Sequence, residues 1–277
     1  MTEALRGSAP HRARVQRAEA LARSLPASAE LLNFYRRIAA FQEELFARLS
    51  TSRVLQQSTS LQHRTELDLT ELLGGFRDFL ALVQTYAPSS LAHAATQLRQ
   101  NDPQTWAAQL NSYWQSDQLD APDRPSSDAL AQFFPRAFLQ PIAEFLASAL
   151  PMPPFTGASR LCPLCGSPPL LGVLRPEGDG GKRFLLCSFC SREWEFRRIL
   201  CAACGEEDEQ KLPVYVAEQL PHIRVESCDA CKTFLRTIDL TKDGNAVPIV
   251  DDLAALPLTL WAHEQGYSRL HPNLLGA

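Results

Sequence analysis

Cys162-Pro-Leu-Cys165-Gly166, Cys187-Ser-Phe-Cys190, Cys201-Ala-Ala-Cys204-Gly205 and Cys228-Asp-Ala-Cys231 hold all eight cysteines of a 277-residue chain. A two-residue gap lets a tight turn aim both sulfurs at one point, which is half of what a tetrahedral metal centre needs. A lone Cys-x-x-Cys pair also occurs in redox motifs. Four pairs with no cysteine left over predict two four-cysteine metal sites.

The pairs repeat as a unit. Between Cys165 and Cys187 lie 21 residues, and between Cys204 and Cys228 lie 23. Glycine follows each leading pair (Gly166, Gly205), where a chain turning around a metal needs positive φ. Apolar, strand-like runs flank each trailing pair: Phe184-Leu-Leu186 and Trp194-Glu-Phe196, then Ile223-Arg-Val225 and Thr233-Phe-Leu-Arg-Thr-Ile238. The duplication predicts two tandem rubredoxin-like or zinc-ribbon modules. Cys162, Cys165, Cys187 and Cys190 would form site 1, and Cys201, Cys204, Cys228 and Cys231 site 2. A cross-braced pairing, first pair with third and second with fourth, fits the duplication less well. Thiolate sulfur suits zinc and iron alike, so spacing leaves the metal open. Either ion would staple strands too short to build a core unaided.

Formal charge bounds the partners. It is −4 with neutral thiols, and two divalent ions on eight thiolates would take it to −8. Residues 157–240 carry 11 Lys and Arg against 12 Asp and Glu. Nucleic-acid binding needs a basic face, so none is expected here. No apolar run reaches the roughly 18 residues of a spanning helix. The basic N-terminal stretch lacks the apolar core of a secretory signal. Eight cysteines without an export signal point to thiolate ligands in a reducing compartment, the cytoplasm.

Ahead of the cysteines the periodicity is helical. Residues 1–25, with Arg6, Arg12, Arg14, Arg17 and Arg23, read as a basic, solvated N-terminal arm. Leu31, Phe34, Tyr35, Ile38, Phe41, Leu45, Phe46 and Leu49 predict a helix over 28–49 with one buried stripe. A second is expected from Asp68, with Glu71 as capping partner, to just before Pro88; Gly74-Gly75 weaken its middle. Residues 90–100 predict a third, and Asp102-Pro103 opens a fourth that carries Trp106, Leu110, Tyr113 and Trp114. A loop over 116–127 precedes an aromatic-rich helix over 128–150, kinked at Pro141. Pro151-Met-Pro-Pro154 marks a boundary, and a last helix is expected from Asp251 to Gly266.

The fold class is therefore α+β. It comprises the arm (1–25), a helical bundle (26–154), a first metal ribbon (155–198), a second (199–241), and a C-terminal helix with its tail (242–277).

Other motifs are structural. Gly178, Gly180 and Gly181 before Lys182 lack the Ser or Thr of a phosphate loop and read as a strand-to-strand turn. Glu206-Glu-Asp-Glu209 reads as an acidic loop, and His222 could stand in for a ligand near Cys228. His11, His63, His93, His263 and His271 form no pattern with a spare cysteine, and no Gly-x-Ser-x-Gly elbow is present. No catalytic residues are assigned.

Assembled, these residues resemble the formate dehydrogenase accessory protein FdhE family. The likeness lies in Cys162-Pro-Leu-Cys-Gly-Ser-Pro-Pro169, Leu186-Cys-Ser-Phe-Cys-Ser-Arg-Glu-Trp194, Arg197-Arg-Ile-Leu-Cys-Ala-Ala-Cys-Gly205, Glu226-Ser-Cys-Asp-Ala-Cys231 and Gly266-Tyr-Ser-Arg269. It spans about residues 160–277; the helical half matches in character only. The resemblance implies a non-enzymatic, cytoplasmic maturation chaperone that binds the catalytic subunit of a respiratory formate dehydrogenase before export. It also implies rubredoxin-type iron in the two sites, with zinc the alternative. Two other readings stay open: a rubredoxin-like electron-transfer or oxygen-sensing protein, and a zinc-ribbon nucleic-acid binder.

Overall fold

In the computed structural model, residues 9–49, 61, 64–116, 129–154, 159–178 and 180–276 are described. Arg6, His63 and residues 117–127 of the loop expected over 116–127 lie outside them.

Among the described residues, six α-helices build the first half: α1 (Ala9–Ser24), α2 (Ala29–Leu49), α3 (Leu73–Tyr86), α4 (Ser89–Leu98), α5 (Pro103–Gln115) and α6 (Ala129–Ser148). Phe34, Tyr35, Ile38, Leu45, Phe46 and Leu49 of α2 are buried as the spacing predicts; Leu31 and Phe41 are half-buried, and Leu32 is buried instead. Asp102 caps α5 by accepting from the N–H groups of Gln104 (2.8 Å) and Thr105 (3.0 Å), satisfying two of the donors that a helix start leaves orphaned. The aromatics of α6 are core: Phe133, Phe134 and Phe138 are buried, and Phe138 meets Phe76 edge-on at 5.0 Å.

The second helix starts later than expected. Asp68 spends its carboxylate on Thr70 N–H (3.0 Å) in a local turn, and α3 begins only at Leu73. Gly74-Gly75 then fall in the first helical turn, where the cost of glycine is small.

The basic N-terminal segment differs from a solvated arm. From Ala9 onward it is helix, and it docks by its charges. Arg14 is 5% and His11 1% exposed, and both reach Glu144 of α6, at 2.9 Å and 2.7 Å. Burial alone would raise the Glu144 carboxyl; Arg14 and His11 outweigh it and hold it at about 2.

The second half is one seven-stranded sheet, ordered β3-β2-β1-β6-β5-β4 with β7 pairing β6. Its strands are β1 (Pro169–Glu177), β2 (Gly180–Cys187), β3 (Glu193–Glu195), β4 (Val214–Val216), β5 (Ile223–Cys228), β6 (Thr233–Asp239) and β7 (Ser268–Arg269). Each ribbon is antiparallel within itself, as the repeat predicts. Of the glycines before Lys182, Gly178 (φ 55) lies in the β1–β2 turn, while Gly180 and Gly181 already open β2 opposite Glu177 and Pro176.

The two ribbons are not separate beads. Strands β1 and β6 run parallel side by side, Gly172 opposite Thr237 and Val173 opposite Ile238, and weld both into one sheet. Only glycine fits at 172: a Cβ there would collide with Thr237 Oγ1 and lie 3.2 Å from Thr237 Cβ.

The single C-terminal helix of the sequence reading is two, α7 (Pro248–Ala254) and α8 (Leu256–Glu264), broken at Ala255. Pro257 lacks an N–H and its ring crowds the preceding turn, so the helix cannot run through. The Ala255 carbonyl accepts from Arg236 (2.7 Å). Gly266, at φ 83, ends α8 as expected. Among the described residues no helix is long and apolar enough to cross a membrane.

Candidate metal centres

Each cluster is built from two knuckles, and all four knuckles share one backbone device. The residue after the second cysteine has positive φ: Gly166 (74), Ser191 (53), Gly205 (84) and Lys232 (56). In three of them that residue's N–H returns to the carbonyl of the first cysteine, from Gly166 to Cys162 (2.8 Å), Gly205 to Cys201 (3.1 Å) and Lys232 to Cys228 (2.8 Å). Two of these residues are glycine and were legible. Ser191 and Lys232 were not, although their place directly after a Cys-x-x-Cys pair was the available signal.

The sulfurs converge as two groups: Cys162, Cys165, Cys187 and Cys190, and Cys201, Cys204, Cys228 and Cys231, each within 4.8 Å of one another. The neighbouring arrangement is therefore the one observed, and the cross-braced one is not. None of the eight is in a disulfide. In site 1 Cys165 lies 3.4 Å from Cys187 and 3.6 Å from Cys190; in site 2 Cys201–Cys231 is 3.8 Å and Cys204–Cys228 3.7 Å. A tetrahedron with metal–sulfur bonds of about 2.3 Å has edges of about 3.8 Å, so the sulfurs stand near ligand spacing. Backbone N–H groups aim at them as well: Phe189 and Cys190 donate to Cys187 Sγ (both 3.4 Å), and Ala203 and Cys204 to Cys201 Sγ (3.4 and 3.5 Å).

Burial pushes the Cys187 thiol well above its ordinary range and raises Cys228 too, while hydrogen bonds from Cys162, Cys187 and Cys190 pull Cys165 down. Four thiolates share such a site only around a positive ion. The donor set fits zinc or iron equally.

The surroundings of the two sites differ. All four site 1 cysteines are buried within the main hydrophobic cluster, which runs through both halves of the chain. Phe189, inside the Cys187–Cys190 knuckle, packs on Trp114 (5.8 Å) and Tyr113 (6.1 Å) of α5. In site 2 Cys204 is exposed and Cys231 half-buried. A cavity of about 370 Å³ opens beside it, lined by Cys201, Cys228, Arg183, Arg224 and Glu226 among others. Ile199, Val214 and Val216 stand about half exposed nearby, the last two on edge strand β4.

His222 belongs to neither site. Its Nε2 pairs with Asp251 (2.9 Å), and Arg17 of α1 bridges Asp251 (2.6 Å) and Asp243 (2.9 Å). With a guanidinium at its centre, this cluster is an ionic lock between α1 and α7. The acidic loop places Glu207 against Arg197 (2.8 Å).

Two family profiles, described as the FdhE central domain and the FdhE C-terminal domain, match residues 161–198 and 199–275. The crystal structure of the FdhE protein from Pseudomonas aeruginosa superposes with a TM-score of 0.72 at 28% identity, over 98% of this chain and 96% of that one. The chain is similar to FdhE proteins in fold along its whole length, and in its domain profiles over residues 161–275. A protein FdhE homolog of Aquifex aeolicus is 26% identical over 273 residues, 95% of this chain and 94% of that relative. An FdhE homolog of Pseudomonas aeruginosa is 39% identical over 130 residues, 40% of its own length. FdhE-like sequence is thus densest over the cysteine-bearing half.

Proposed function

We propose that the chain is a non-enzymatic formate dehydrogenase accessory protein. In this reading it holds one metal ion in each four-cysteine site and binds the enzyme's catalytic subunit in the cytoplasm. The likeness to FdhE proteins supports the accessory role. Site 2 is the observation that carries the binding role: a metal centre left at the surface, beside an open cavity and an edge strand presenting Val214 and Val216. Exposed apolar side chains on an unpaired strand edge are a ready template for another chain. Site 1 is the staple and site 2 the face offered to the partner.

The test is co-purification with that subunit. The wild-type chain should retain it, and Val214→Asp with Val216→Asp should abolish retention while both metals stay bound. No association by the metal-loaded wild type would overturn the reading.

Site 2 also favours a second reading, electron transfer, because Cys204 reaches water and an iron there would exchange electrons readily. Iron-loaded protein with a reversible potential at site 2, and zinc-loaded protein without function, would support it.

A further inference from the structure

Site 1 carries a charge problem. A divalent ion on four thiolates leaves two negative charges, and here all four cysteines are buried in the core. Buried charge without an opposite partner is costly. Backbone N–H groups at Cys187 Sγ supply partial charges only.

Two guanidiniums of the helical half reach this site. Arg136 of α6 is 8% exposed; it donates Nη2 to the Ser188 carbonyl inside the Cys187–Cys190 knuckle (3.3 Å). Its Nη1 goes to the carbonyls of Pro272 (3.1 Å) and Asn273 (3.3 Å). Arg64 donates Nη2 to the Cys165 carbonyl (3.3 Å), lies over the Phe189 ring at 5.7 Å, and buries Nη1 without a partner. Neither forms a carboxylate ion pair among the described residues. Asp252, whose field reaches Arg136, is already paired with Arg236 (2.7 Å) and Arg269 (2.8 Å). Three carbonyl contacts leave the Arg136 charge uncancelled. Site 2 is arranged differently: Arg183 and Arg224 are neutralised by Glu226 (2.6 Å) and Asp239 (2.5 Å), and water reaches Cys204.

We propose that buried Arg136, together with half-buried Arg64, is the counter-charge of metal-loaded site 1, two positive charges from the helical half against the two negative charges of the tetrathiolate. This rests on the reading that the cysteines hold a divalent ion. Arg136 and Arg64 are positioning residues: they touch the knuckles and stabilise the loaded site through its field. The same field favours the ferrous over the ferric state when iron occupies site 1, because reduction adds the second negative charge.

The experiment uses the full chain with Cys204→Ser and Cys231→Ser, so that site 1 alone is read, and zinc as the probe in competition with a chelator. Arg136→Gln should weaken zinc binding by about 10-fold or more, the scale of losing a residue that supports metal ligands, and Arg136→Lys by no more than about 3-fold. Arg64→Gln should weaken it in the same direction. Iron-loaded Arg136→Gln should be reduced at a more negative potential than its parent. Parental zinc affinity in Arg136→Gln, or an equal loss in the Gln and Lys variants, would overturn the proposal. Where Arg136→Gln does not fold, Arg64→Gln decides, and unchanged zinc affinity and iron potential there overturn it. A parent that binds no zinc at all would sink the metal reading itself, a different failure.

Discussion

In site 1 four sulfurs are shut inside the main core, with Phe189 facing Trp114; in site 2 Cys204 stands in water and Cys231 is half covered. The knuckles are the same in spacing and in positive φ after the second cysteine, and each site has a knuckle whose N–H groups turn to sulfur. Local chemistry therefore decides that a metal can sit there. What the metal is for depends on the residues brought up from elsewhere in the chain.

The largest effect should separate the sites directly. Cys187→Ser removes a fully buried ligand and should cost more than about 4 kcal/mol, through both the lost ion and an orphaned buried hydroxyl. Cys204→Ser should lower metal content from two ions to one with a far smaller shift in the thermal midpoint. Elemental analysis beside calorimetry checks the pair, and equal destabilisation would erase the distinction drawn here.

Glu144 tests whether the burial around site 1 depends on α1. Glu144→Gln leaves Arg14 and His11 buried without their carboxylate and should cost about 3 kcal/mol. Because the folded carboxyl titrates at about 2, below the unfolded value of about 4.3, its stabilisation is complete above about pH 4.5 and drains away as pH falls toward 2. The gap in unfolding free energy between wild type and variant should close over that window. A gap constant from pH 6 to 3 would refute the ion pair.

The seam between the ribbons gives a smaller effect. Gly172→Ala forces a methyl against Thr237 and should cost about 2 kcal/mol, as overpacking does. One denaturant transition, shifted as a whole, is expected; loss of one ribbon ahead of the other would mean that they are independent.

Much of this was written in the sequence because it is local. Cysteine spacing and the two glycines announced the knuckles, and spacings of three and four announced α2 and α6. What stayed hidden is nonlocal. Five arginines before residue 25 read as solvated, since the carboxylates that receive Arg14 and Arg17, Glu144 and Asp251, lie 130 and 234 residues away. No periodicity reports that β1 and β6 will lie parallel, or that Gly172 is there for Thr237. Ser191 and Lys232 stand in for glycine in the left-handed region, so residue type alone misled. Pro257 was visible, but whether it opens the last helix or splits it depended on Ala255. The difference between the two metal centres was the least legible, because it is made by Trp114, Arg64 and Arg136.

The parallel join of β1 to β6 makes the sheet half indivisible. A chain severed between residues 198 and 199 would leave each fragment with a bare backbone edge where Gly172 and Thr237 now lie side by side. Bare edges recruit strangers, so each fragment would stick to its mate in trans or to further copies of itself.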